Sequence, residues 1–260
     1  MPSTGRSAAS PWKDDRPPHL PCRRGDLPAA VLFPGDPARV DRFAGLLEDF
    51  RILGQNREFR IGVGRYRDME IGVCSTGIGG PSTEIALVEA AELGCKFALR
   101  IGGTGALLAD IPLGSLLIVS GALRGGGAAA LYAEPSHPAK AHPAMLAALT
   151  HSADAANAPW RIASVASIDG YYAGQGRSYP HGVVDADSVL HAYRQQNVSA
   201  LDMESETILI LGEKLQMIAG AVLAVHANRA NDTWLEEYEG AQDRMIRVAC
   251  ESLYRLTQTG

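Results

Sequence analysis

Short apolar runs alternate along the chain with segments whose apolar residues recur every three or four positions. Ala30-Val31-Leu32-Phe33 is a run of the first kind, closed by Pro34-Gly35-Asp36-Pro37. Ile71-Gly72-Val73-Cys74 reads as another strand, and residues 97–101, 116–119, 162–166 and 218–225 as further ones. Helical spacing predicts a helix over 38–47, behind a proline suited to a first turn. A second is predicted over 82–93, with Ile85, Val88, Ala91 and Leu93 on its apolar side. Others are expected over 143–154, 203–214 and 237–256. Strands alternating with helices of this length indicate a layered α/β domain. The segment 121–143, rich in Gly, Ala and Pro, is expected to be a surface excursion. No repeat, linker or shift in composition divides the chain after Ala29, so residues 21–260 read as one domain.

Residues 1–20 stand apart. They carry Pro2, Pro11, Pro17 and Pro18 and show no apolar period, the composition of a disordered tail. No apolar stretch follows the first basic residue, and Asp14 and Asp15 are foreign to a transit peptide. Composition narrows the function classes. Of 260 residues, 46% are hydrophobic and 20% charged, an ordinary globular balance. A net charge of −5, with no basic run longer than Arg23-Arg24, speaks against nucleic acid as partner. No apolar run approaches the roughly 20 residues of a membrane span. Cys22, Cys74, Cys95 and Cys250 form no Cys-x-x-Cys pair, which argues against zinc and disulfides and suits the cytoplasm.

Four places set glycine and charge at strand ends, where α/β proteins hold their ligands. Pro34-Gly35-Asp36-Pro37-Ala38-Arg39 offers bare backbone, a helix start and a guanidinium; it reads equally as a turn before a helix. Ser75-Thr76-Gly77-Ile78-Gly79-Gly80-Pro81-Ser82 has neither the dinucleotide fingerprint nor a P-loop, so its glycines bring the backbone close to a ligand or to a packed neighbouring chain. In Leu99-Arg100-Ile101-Gly102-Gly103-Thr104-Gly105, an arginine on a buried strand needs an anion. That anion is either an oxyanion such as phosphate, which Thr104 and the glycines would also bind, or a carboxylate of the chain itself. Gln175 and Arg177, two apart in a loop, can present an amide and a guanidinium to one planar group. Asp202 and Glu204 flank Met203 where a strand meets a helix; they can accept bonds from sugar hydroxyls or cap the helix.

In order, Gly-Asp-Pro-x-Arg, Asn-Arg-Glu-Phe, Ser-Thr-Gly-Ile-Gly-Gly-Pro-Ser, Arg-Ile-Gly-x-Thr-Gly, Gly-Gln-x-Arg and Met-Glu-Ser resemble the nucleoside phosphorylase-I family. Within it the similarity is greatest to uridine phosphorylases, and it runs from about His19 to Leu256. The resemblance implies a three-layer α/β/α sandwich around a central mixed twisted sheet. It implies phosphorolysis of a pyrimidine nucleoside, uridine and phosphate giving uracil and ribose 1-phosphate. No organic cofactor is implied; inorganic phosphate is the co-substrate. Phosphate binding would fall to Gly35, Arg39, Arg100 and Thr104, with Arg57 reaching the neighbouring subunit's site. Met203 and Glu204 would hold ribose, and His19 would cover the 5′-hydroxyl in the adjoining subunit. Arg100, Thr104 and Glu204 would carry the chemistry. Tyr171, Gln175, Arg177 and Arg229 would meet the base; purine-specific relatives place an acid where Arg229 stands. Glu58, Ile78 and Ser82 match a potassium site at a dimer interface, within a hexamer built as a trimer of dimers. Three positions depart from the pattern. Gly103 replaces a common threonine, Asp202 a glutamate, and His226 an apolar residue near the base. The departures keep other readings open: a phosphorylase for thymidine, deoxyuridine or a purine, or a nucleoside-binding protein without turnover.

Overall fold

A computed structural model describes residues 7–258. Strand β1 (Ala30–Pro34) leads into a single helical turn α1 (Ala38–Asp41), which tightens into a 3-10 turn over Arg42–Gly45. An antiparallel meander follows, β2 (Glu48–Asn56), β3 (Phe59–Tyr66) and β4 (Met69–Cys74), and then helix α2 (Gly80–Glu92). Two long strands come next, β5 (Phe97–Ala106) and β6 (Leu116–Gly125), and the short β7 (Ala139–Lys140). The second half runs α3 (Pro143–Ala155), β8 (Trp160–Ile168), α4 (Ala186–Gln195), β9 (Ala200–Asp202), α5 (Ser205–Lys214), β10 (Ile218–Asn228), β11 (Thr233–Trp234) and α6 (Glu239–Gln258).

Among the described residues, all eleven strands join one mixed sheet. Strand β5 is its hub. One edge of β5 pairs with β10 over its whole length; the other pairs with β1 over Phe97–Ile101 and then with β9 at Gly105 and Ala106. Because β9 pairs β8, β8 pairs β6 and β6 pairs β10, the sheet curls into a closed ring. The β1–β4–β3–β2 wing hangs from it. Helices cover both faces of the sheet. Ile208–Leu211 of α5 and Ala86, Leu87 and Ala90 of α2 fill one core. Phe43, Met145 and Leu149 of α3, and Met245, Ala249 and Leu253 of α6 fill the other. This is the expected three-layer α/β/α arrangement.

The predicted strands and helices are present, with bounds that differ in instructive ways. Strand β5 runs on through Gly102, Gly103 and Gly105, so glycines expected to follow the strand lie inside it. The helix expected over 38–47 has only one α turn. The segment 121–143 is only partly an excursion: it completes β6, contains β7, and buries Ala129 and Ala139. Glu206 pins it, accepting from Arg124 Nε (2.9 Å) and from the N–H groups of Gly125 (2.9 Å) and Gly126 (2.7 Å).

Of the stretch that reads as a tail, residues 1–6 lie outside the described residues. Beyond them Trp12 packs against the first core beneath the Arg24 guanidinium, 4.8 Å from its ring, and Leu20 is buried. Glu89 of α2 anchors this end: it accepts from the N–H groups of His19 (3.2 Å) and Leu20 (2.7 Å) and pairs with His19 Nδ1 (2.7 Å). Among the described residues no helix is long and apolar enough to cross a membrane.

Candidate active site

The C-terminal ends of β1, β4, β5 and β10 open on the same side of the sheet, and two cavities meet there. One, of about 320 Å³, lies over β5 and β9 and is walled by Thr104, Tyr171, Gln175, Arg177 and Met203. The other, of about 620 Å³, is walled by Gly35, Arg39, Glu58, Gly77 and Ser82. Ile78, Arg100, Gly103 and Glu204 line both and form the wall between them.

Arg100 leaves the middle of β5 and is only 4% exposed. Its Nε donates to Asp202 (3.0 Å) and its Nη2 to Glu204 (2.5 Å). The anion that this buried arginine requires is therefore supplied by two carboxylates of the chain, at the β9–α5 junction. Burial opposes the guanidinium's charge, but Glu204 and Asp202 outweigh it and hold its pKa above the ordinary value. Asp202 does double duty, also accepting from Ser205 N–H (3.0 Å) and Ser205 Oγ (2.5 Å) at the start of α5. Glu204 accepts from Gly79 N–H (2.6 Å), which ties the glycine loop before α2 to the site. Burial pushes the Glu204 carboxyl up, Arg100 opposes this, and the charge of Asp202 adds to it.

Arg39 faces the second cavity from the turn after β1. Its Nη1 donates to Ile101 C=O (3.2 Å), and its Nε is buried with no partner. Burial first and the nearby Arg100 charge second lower its pKa, so positive charge is crowded at this end of the cavity. A Cβ at Gly35 would lie 3.2 Å from the Gly77 carbonyl oxygen, a tight approach of the β1 turn to the loop before α2. Glu58 and Ser82 flank the left-handed Gly77 (φ +72°): a Cβ at Gly77 would meet Glu58 Cγ at 2.8 Å and Ser82 Oγ at 3.3 Å. Ser82 Oγ also lies 3.3 Å from the Ile78 carbonyl oxygen.

At the far end of the first cavity the loop after β8 presents the amide and guanidinium together. Arg177 Nη1 donates to Gln175 Oε1 (2.8 Å) and to Tyr171 C=O (2.8 Å), and its guanidinium stacks 4.0 Å from the Tyr171 ring. Gln175 is buried and its amide N–H₂ remains for a ligand. Arg229 sits behind this clamp instead of lining the cavity. Its donors go to the carbonyl oxygens of Gln175 (2.9 Å) and Gly176 (3.4 Å), so it braces the loop. Thr104 Oγ1 donates to Leu201 C=O (2.7 Å) on the cavity floor.

His19 and Arg57 line neither cavity. His19 is held on α2 by Glu89, and Arg57 stands exposed in the β2–β3 turn with φ +52°. The sequence reading missed Trp234 of β11, which walls the first cavity opposite Ala227, and the Gly79–Glu204 link. A lone tryptophan in Asn-Asp-Thr-Trp carries no periodic signal; only its pairing with β10 brings it to the site. Among the described residues no group of three or more His, Cys, Asp or Glu could hold a metal ion.

A family model described as the phosphorylase superfamily matches residues 29–257. The chain is 37% identical to a uridine phosphorylase of Thermococcus kodakarensis, over 82% of this chain and 78% of that protein. It is 34% identical to a uridine phosphorylase of Escherichia coli, over 92% of this chain and 97% of that one. It is also 32% identical to a guanosine phosphorylase of Halorubrum lacusprofundi, over 92% and 98% respectively.

Proposed function

The chain belongs to the phosphorylase superfamily, and from that premise we propose that it carries out phosphorolysis of a pyrimidine nucleoside, uridine and phosphate giving uracil and ribose 1-phosphate. The observation that carries the reading is the shared wall of Arg100 and Glu204 between two cavities. One cavity ends in crowded guanidinium charge with an orphaned donor, and the other ends in a Gln–Arg clamp suited to a planar, hydrogen-bonding base.

Phosphate sits in the second cavity against Gly35, Arg39 and Arg100, with Thr104 reaching it from the floor of the first cavity, and the anion's charge is neutralised while one oxygen is held in line with the anomeric carbon. Met203 and Glu204 hold ribose at the junction. The new C–O bond forms as the bond to the base breaks, and the base leaves with the electron pair. Negative charge then grows on the pyrimidine ring beside Arg177, whose guanidinium binds the transition state more tightly than the substrate. Gln175 pairs with the amide-like edge of uracil, and Tyr171, its face already covered by Arg177, closes the side.

Three further assignments belong to this reading. Glu58, the Ile78 carbonyl and Ser82 are all oxygen donors gathered around Gly77, and they fit a potassium ion that would tie this loop down. His19 and Arg57 serve the neighbouring subunit's site, which agrees with their absence from this chain's own cavities. The protein is then a homo-oligomer, a hexamer built as a trimer of dimers that share sites, working in the cytoplasm, where its four free cysteines stay reduced. Sedimentation equilibrium giving only the 27.6 kDa of one chain would overturn the assembly. The similarity to a guanosine phosphorylase makes a purine nucleoside the second reading.

The test follows uridine absorbance with and without phosphate and identifies the products. Uracil and ribose 1-phosphate formed only with phosphate are expected. Turnover of guanosine alone favours the second reading. Uracil released without phosphate, or uridine bound without turnover, overturns phosphorolysis.

A further inference from the structure

One side chain in the first cavity has no role in the reaction as assigned. His226 is the unmatched residue of a β-bulge: Val225 pairs with Thr104 and Ala227 with Gly105, leaving His226 opposite nothing on β5. Bulges beside active sites re-aim a side chain, and this one sends an imidazole onto the cavity wall. The ring occupies the space over Gly103. A Cβ at Gly103 would lie 2.6 Å from His226 Nδ1 and 2.9 Å from its Cε1, so no residue but glycine admits the ring in this position. Gly103 itself lines both cavities, which puts the Nδ1 edge of the ring at their junction. On the other edge Nε2 is buried and unpartnered, and Tyr238 packs 5.5 Å from the ring centre. A buried Nε2 without an acceptor is tolerated best without its proton, which leaves the ring's N–H on Nδ1.

We propose that His226 is a specificity-determining residue whose Nδ1–H donates a hydrogen bond to a substrate oxygen where the phosphate cavity opens into the nucleoside cavity, and that Gly103 is the partner that makes room for it. The proposal rests on the phosphorolysis reading and adds a contact to it. The oxygen belongs either to phosphate or to a sugar hydroxyl, groups that present the same acceptor at the same place.

Three variants test it. His226→Asn keeps an amide near the Nδ1 position, His226→Leu keeps bulk without polarity, and His226→Ala removes both. For His226→Leu, kcat/KM is expected to fall about five- to tenfold, the worth of one hydrogen bond, while His226→Asn stays within about threefold of the wild type. A rise confined to the phosphate KM identifies a phosphate oxygen. A rise confined to the uridine KM, absent with deoxyuridine, identifies the sugar hydroxyl. Gly103→Ala, which pushes the ring aside, is expected to match His226→Leu in the wild type yet change activity less than twofold in a His226→Ala background. Equal activity of the Leu and Asn variants, or a Gly103→Ala effect that persists without the ring, overturns the proposal. Failure of the functional reading looks different, because the wild type itself then turns over no uridine. In that case the same variants are compared by calorimetric binding of phosphate and uridine, and equal affinities overturn the role of His226.

Discussion

Arg100 shows how a single residue can be legible in its need and illegible in its partner. A guanidinium in an apolar strand must be neutralised, and the strand pattern around it is plain from the sequence. Its partners Asp202 and Glu204 lie about a hundred positions away and meet it only because β9 pairs with the end of β5. The geometry also sets what a substitution does. Arg100→Ala leaves two buried carboxylates facing each other without a cation, a loss of about 3–5 kcal/mol by analogy with broken buried pairs. Urea unfolding of Arg100→Ala should therefore show a much lower midpoint, and an unchanged one would mean that a proton taken up by the pair, or water reaching it, replaces the lost cation. His226 yields a second prediction at this scale. Burial first, and the Arg39 charge second, depress its pKa below 6.5, so the folded protein resists a proton that the unfolded chain accepts. Its stability contribution is complete above 6.5 and is lost as pH falls below it through the folded value. Arg39 and Tyr238 are the charged and titratable groups set against the ring. Between about pH 7.5 and about pH 5.5, without phosphate, the wild type should lose more thermal stability than His226→Asn. Parallel curves for the two proteins would contradict it.

Among elements, those with strong apolar runs were readable and those without were not. Strand β2 is exposed or half-buried at every position and lies at the sheet edge, so no alternation marks it. Helix α4 buries only Leu190 fully. The glycines of β5 misled for a different reason. They follow the run that reads as a strand over 97–101, yet the strand continues through Gly102 and Gly103, positions where a Cβ would strike Arg100 Nη2 or His226 Nδ1, each at 2.6 Å. The same close approach recurs where α5 crosses β10. A Cβ at Gly212 would lie 2.2 Å from the Ala219 Cβ, an atom fixed to the backbone that cannot rotate away. Gly212→Ala gains about 1 kcal/mol of helix propensity but overpacks the interface at a cost of about 1–3 kcal/mol. Net destabilisation is expected, read as a lower denaturation midpoint; a higher one would show that the helix shifts freely on the sheet.

On the scale of the molecule, the curled sheet explains why residues so far apart in sequence share one pocket. Closing β10 onto β5 and β9 onto β8 brings the β1 turn, the loop before α2, the β9–α5 junction and the clamp loop to one end. The layered architecture follows from alternating elements, whereas ring closure depends on β9, a three-residue strand too short to announce itself. The phosphate site proposed for these converged residues exists only in the folded state, so phosphate is expected to stabilise the whole protein. At about one hundred times its dissociation constant, phosphate adds about 2.7 kcal/mol, or about 5–10 °C in Tm for a domain of this size. Arg39 is the residue to remove. Its guanidinium gives the fold one hydrogen bond, to Ile101, and leaves Nε buried and unanswered, so Arg39→Ala should fold while losing most of that shift. Calorimetric scans of both proteins at matched ionic strength, with chloride as the control anion, decide the matter. A shift retained in full by Arg39→Ala would move the phosphate away from the second cavity, and a shift given equally by chloride would reduce it to screening of the Arg39–Arg100 repulsion.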